Sequence, residues 1–167
     1  MKELNIIEAD FSKKKHTDAV LFVTSEYAKD PMGLGKPLPK KIHERLIDEI
    51  KKFPVWFSLL AFYDEQPAGI ANCVYSFSTF NAAKVINIHD LAVLRTFRGK
   101  GIGEALLGAV EKKAKETNCC KVTLEVREDN RARNLYERIG FEYGDPAMFF
   151  MSKYLYCLLY TSPSPRD

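Results

Sequence analysis

The spacing of apolar and polar residues divides the chain into short segments of distinct period. Over residues 15–28, Ala19, Val20, Val23 and Tyr27 recur at helical spacing. Ile42, Leu46, Ile47 and Ile50 do the same over 40–52, and Pro54 closes that helix. Between them DPMGLGKPLP, residues 30–39, reads as loop. VWFSLLAF (55–62) predicts a buried strand, DEQP (64–67) a hairpin turn, and 68–77 the returning strand. A third strand is predicted over 85–93. From residue 102, Ile102, Ala105, Leu106, Ala109, Val110 and Ala114 form one apolar stripe, with Glu104, Glu111, Lys112 and Lys115 opposite. Residues 121–127 alternate strictly, Val122, Leu124 and Val126 against Thr123, Glu125 and Arg127. A short helix over 131–139 stops at Gly140, and 141–143 and 148–154 read as closing strands. The order α-α-β-β-β-α-β-α-β-β predicts a single α/β domain on a mixed sheet.

Within 85–93 the alternation slips. Ile86 and Ile88 share one phase, while Leu91 and Val93 share the other. A period of two that shifts by one residue signals a bulge, here at His89–Asp90. Such a bulge is expected to splay this strand from its neighbour and leave backbone groups free for an extended ligand.

Composition narrows the class without naming it. The chain has 167 residues, 46% hydrophobic and 28% charged, as expected of one ordinary globular domain. A net charge of +3, with bases and acids interspersed, gives no argument for a nucleic-acid partner. No apolar run is long enough for a membrane span, and MKELNIIEADF lacks the apolar core of a signal peptide. Cys73, Cys119, Cys120 and Cys157 show no metal-binding spacing, and Cys119 and Cys120 read as reduced thiols. These features predict a cytoplasmic protein without a metal. The terminal CLLYTSPSPRD (157–167) differs in style from the rest and resembles the translation of a transposase adapter. It is expected to be a non-native read-through tail, leaving 1–156 as the domain.

The chemistry concentrates where the slipped strand meets RGKGIG. A dinucleotide-binding GxGxxG fails because position 104 is Glu, and a phosphate loop ending in GK[ST] fails because Gly101 follows Lys100. What remains is a strand, a basic glycine loop and a helix start, which together form an anion site from free amides and the helix dipole. A tight packing turn would use the same glycines.

Two stretches resemble a known family. LAVLRTFRGKGIGEALL is similar to motif A of the GNAT acetyltransferases, [R/Q]xxGx[G/A], with Arg98, Gly101 and Gly103 matching. EVREDNRARNLYERIGFE resembles the family's second signature, an Asn opening a helix, then Tyr, then Gly-Phe. The resemblance implies a central mixed, mostly antiparallel sheet flanked by helices, with the bulged strand beside a pyrophosphate loop. It implies N-acetyl transfer from acetyl-coenzyme A, as co-substrate, to a primary amine of a small molecule or peptide by direct attack in a ternary complex. Backbone amides of Arg98, Gly99, Lys100, Gly101, Ile102 and Gly103 would bind the pyrophosphate. Leu91, Ala92 and Val93 would pair with the pantetheine arm, and an N–H of Leu91 or Val93 would hold the oxyanion. Asn130 would bond the pantetheine or cap its helix. Tyr136 would be the general acid toward the thiolate and also touch the cofactor, and His89 the base toward the amine. Residues 27–38, with Tyr75, Phe77 and Phe80, are expected to line the acceptor side, where Asp30 is the nearest acid. A homodimer fits the same resemblance. A non-catalytic acyl-coenzyme A sensor and a general nucleotide-binding module are the competing readings.

Overall fold

The computed structural model describes residues 3–155. One sheet runs in the order β1 (Leu4–Glu8), β2 (Trp56–Tyr63), β3 (Gln66–Ser78), β4 (Ala83–Val93) and β5 (Cys119–Leu124). The first three pairings are antiparallel and β4–β5 is parallel. The sheet is therefore mixed and mostly antiparallel, as expected. The parallel pair requires a crossover, which α3 (Ile102–Glu116) supplies.

Alternation along the strands sends side chains into two cores. On one face, Ala19, Val20 and Val23 of α1 (Lys14–Lys29) bury against Leu60, Phe62, Ile70 and Ala92, with Ile47 of α2 (Lys40–Lys51) beside them. On the other, Ile102, Leu106, Leu107, Val110 and Ala114 of α3 bury against Phe57, Ala61, Ala71, Cys73, Ile86 and Ile88. Each large aliphatic side chain so buried contributes roughly 1.5–3 kcal/mol. The six-residue α4 (Arg133–Arg138) adds Leu135 and Tyr136 to the α3 side.

Three expectations need correction. LNIIE forms β1, an edge strand the periodicity missed because Ile6 and Ile7 are consecutive and the segment lacks alternation. Residues 141–143 and 148–154 form no strand. Met148, Phe149, Phe150 and Met151 are exposed, and an apolar run without a ladder partner does not make a strand. Finally, β5 spans Cys119–Leu124 rather than 121–127, so Val126 and Arg127 lie beyond the ladder. The tail at 157–167 lies outside the described residues.

Candidate active site

The predicted slip is a bulge at His89. In the β3–β4 ladder Cys73 pairs with Ile88 and Asn72 with Asp90, leaving His89 without a partner. The extra residue keeps Leu91 and Val93 on the α3 face with Ile86 and Ile88, while Ala92 falls on the α1 face. The β4–β5 ladder ends at Ile88–Leu124, whereas β4 stays paired with β3 as far as Val93–Gly69. Leu91, Ala92 and Val93 thus have one edge in the sheet and the other facing the gap between β4 and β5.

The glycine loop lies at the end of that gap. After a single 3-10 turn at Arg95–Phe97, Gly99 and Gly101 adopt φ of 76° and 74°, the left-handed region that favours glycine. Gly101 caps α3 in that conformation and supplies the carbonyl for the first helical bond, from Ala105. No side chain caps the helix, so its leading N–H groups remain available to an anion. They border a cleft of about 260 Å³ lined by Val93, Phe97, Gly99, Gly103, Leu135 and Arg138, among others. An added Cβ at Gly99 or Gly101 would meet nothing within 4 Å, so the backbone there is open to approach from outside.

The charged side chains of the loop are engaged elsewhere. Arg98 donates from Nε to the Val93 carbonyl at 3.0 Å and from its terminal nitrogen to Asp30 at 2.7 Å. Lys100 Nζ lies 5.5 Å from the Tyr63 ring centroid. Asp30 is therefore a partner of the glycine loop rather than a free acid. An N–H bond from Met32 holds its carboxyl below the usual range against opposing burial, and Arg98 adds to the lowering. Arg127 donates to the Pro31 carbonyl at 3.3 Å, so the α1–α2 loop is tied to segments following both β4 and β5.

Tyr136 is 8% exposed, its ring 5.9 Å from Phe141. Burial, with a smaller contribution from Tyr27, pushes its phenol up to about 12. Tyr27 is raised too, first by burial and then by Asp90 and Asp30, and its hydroxyl donates to the Met32 carbonyl at 3.2 Å. Tyr27, Tyr136 and Asp90 thus converge where β4 and β5 part. Asn130 accepts from the Ala132 N–H at 2.9 Å, making a turn before α4 rather than its cap. Tyr75 packs on Phe57 in the α3-side core at 5.1 Å, so it does not wall the α1 face. Phe77 and Phe80 are exposed.

The α1 face also holds polar residues that the linear pattern did not single out. Trp56 Nε1–H donates to Ser58 at 3.1 Å, Ser58 Oγ–H donates to Asn72 Oδ1 at 2.7 Å, and Asn72 Nδ2–H donates to Asp90 at 3.0 Å. His89 is exposed and meets the Trp56 ring nearly edge-on at 5.8 Å. On the β5 side, Asn87 Nδ2–H donates to Thr123 and to Glu125, both at 3.1 Å. Residues 56, 58 and 72 had no local signal, since two lie in an apolar run. Their phase together with the register was the only clue.

Comparison with known proteins matches the Acetyltransferase (GNAT) family model to residues 22–141. A [ribosomal protein bS18]-alanine N-acetyltransferase of Haemophilus influenzae is 46% identical over 54 residues, a match spanning 32% of this chain and 37% of that protein. The chain therefore matches little more than a third of the length of this curated relative. A solved probable acetyltransferase superposes with a TM-score of 0.77 at 20% identity, covering 90% of this chain and 98% of that one. A ribosomal-protein-alanine N-acetyltransferase from Brucella melitensis biovar Abortus 2308 gives 0.64 at 21% identity, covering 93% and 100%. An aminoglycoside N-acetyltransferase in complex with CoA gives 0.72 at 18%, covering 92% and 97%. At these identities the solved structures establish a shared fold.

Proposed function

Because the chain belongs to the GNAT acetyltransferase family, we propose that it transfers the acetyl group of acetyl-coenzyme A to a primary amine of a small molecule or peptide. The observation that carries this reading is the bulged β4, whose unpaired edge runs from His89 to Val93 and ends at the uncapped start of α3. An extended thioester laid along that edge has its anionic end at the glycine loop and its reactive end at the bulge. In this reading backbone amides between Arg98 and Gly103 hold the pyrophosphate, and Leu91, Ala92 and Val93 pair with the pantetheine arm. An N–H of Leu91 or Val93 polarises the carbonyl under attack. Asn130 Nδ2 contacts the arm from the far side of the gap.

The amine reaches the carbonyl from the α1 face, and His89 takes its proton before attack. Collapse of the adduct expels a thiolate, to which Tyr136 donates. Burial that raises the phenol to about 12 keeps that proton in place throughout the neutral range. The names of relatives that act on ribosomal-protein alanine and on aminoglycosides support an amine acceptor as a class. Calorimetric titration of the full chain with acetyl-coenzyme A, with ATP as control, tests the reading. Micromolar binding unmatched by ATP is the expected result. Equal binding of ATP would favour a nucleotide module, and binding with no transfer to any amine would favour a sensor.

A further inference from the structure

We propose that Trp56 and Asn72 are positioning residues for the acetyl acceptor, acting through Asp90 and His89; this rests on the acetyl transfer proposed above. The argument is one of hydrogen-bond direction. An indole nitrogen can only donate. Its bond occupies the Ser58 oxygen as an acceptor, which leaves the Ser58 hydroxyl hydrogen free to go to Asn72. The Asp90 carboxylate can only accept, so the Asn72 NH2 faces it and the Asn72 carbonyl faces Ser58, where it takes that hydrogen. Three side chains on two strands thereby form a one-way relay across the sheet, ending on a carboxylate at the bulge.

Burial makes the relay directional in energy as well as geometry. Ser58 is 0% and Asn72 4% exposed, so neither can exchange its partner for water. Reversing the Asn72 amide would set its carbonyl against Asp90 and its NH2 against Ser58. Asp90 is therefore held in one orientation with further lone pairs unused, on the face from which the amine arrives. The same indole also meets the His89 ring nearly edge-on. Trp56 thus sets the positions of both bulge side chains, one through its N–H and one through its ring. Asp90 meets the acceptor nitrogen, and His89 receives the proton.

The two functions of the indole can be separated. Trp56→Phe keeps a ring against His89 and removes the donor, while Asn72→Ala removes the last link. With a peptide bearing a free N-terminal alanine as acceptor, each is expected to lower kcat/KM for the peptide by about tenfold or more, the scale of one buried hydrogen bond. The Kd for acetyl-coenzyme A is expected to stay within about twofold, since neither residue touches the glycine loop. Peptide kcat/KM unchanged in both variants would overturn the proposal. So would a loss of acetyl-coenzyme A binding in step with kcat/KM, which would mark a purely structural role. The relay has a readout independent of turnover, the side-chain amide of Asn72 in nitrogen-15 spectra of Ser58→Ala. A shifted amide is expected, and an unmoved one overturns the relay even if the peptide is no acceptor. Failure of wild type to bind acetyl-coenzyme A would instead defeat the proposed function.

Discussion

Tyr136 is a side chain that can be read two ways, as packing and as the proposed general acid. Its ring belongs to the α3-side core, and its phenol reaches the region of Tyr27. The phenol is neutral when protonated, so burial favours the protonated form and raises the value from an unfolded 10.0 to about 12 in the fold. The associated stability is complete below pH 10 and is lost as pH rises toward 12. Tyr136→Phe should therefore flatten the alkaline fall in the thermal midpoint, measured by circular dichroism between pH 9 and roughly 12. The same variant is expected to lose about 100-fold in kcat, the low end for removal of a general acid, with the Kd for acetyl-coenzyme A little changed. Steady-state kinetics with an active acceptor decides it. Cys73 shows the opposite case. Burial and Asp90 push its thiol up to about 12, which marks it as a packed, unreactive residue rather than a nucleophile.

Among elements, the α1–α2 loop is held more firmly than its glycines and prolines suggest. Asp30 accepts Met32 N–H, and its backbone carbonyl accepts from Gly33 and Gly35, while the Ala28 carbonyl accepts from Leu34 and Lys36. Arg98 and Arg127 then fasten the loop to the two segments that follow the diverging strands. Asp30→Ala should speed amide exchange at Gly33, Leu34, Gly35 and Lys36 while leaving the middle of α3 unchanged, as hydrogen-exchange measurements would register. With its carboxyl lowered below 3.8, Asp30 stabilises the fold above that value, and the contribution disappears as pH falls through the lower folded value. The legibility of elements followed their periodicity. The α3 stripe and the bulge could be read because the phase of apolar residues is local information. β1 could not, since an edge strand with adjacent isoleucines has no clear period. The run at 148–151 misled for the converse reason, as apolar side chains say nothing about whether a neighbouring strand exists. The Trp56–Ser58–Asn72–Asp90 relay depends on the register between β2, β3 and β4, which no single segment contains.

For the whole molecule, the bulge at His89 coordinates two cores that otherwise meet only through the sheet. Were His89 paired in a regular ladder instead of bulged out, the strand beyond it would reverse face. Leu91 and Val93 would turn toward α1, and Asp90 would enter the apolar layer beneath α3. Burying an unpaired carboxylate there costs several kcal/mol, a large share of the roughly 5–15 kcal/mol that holds a domain together. Deletion of His89 would instead leave a regular ladder with Asp90 on the α1 face and Leu91 and Val93 on the α3 face, so it should still unfold cooperatively, as should His89→Ala, which keeps the bulge. Denaturant titrations of the two variants make the comparison.

Trp56 is the chain's one tryptophan, against eight tyrosines and eleven phenylalanines. Its ring lies against the His89 side chain. Light absorbed at the red edge of the aromatic band therefore excites a single indole at the bulge and nowhere else. The protein thus carries a native fluorophore beside the bulge, so a ligand that binds against it would show as a change in emission, without a label and before any product forms.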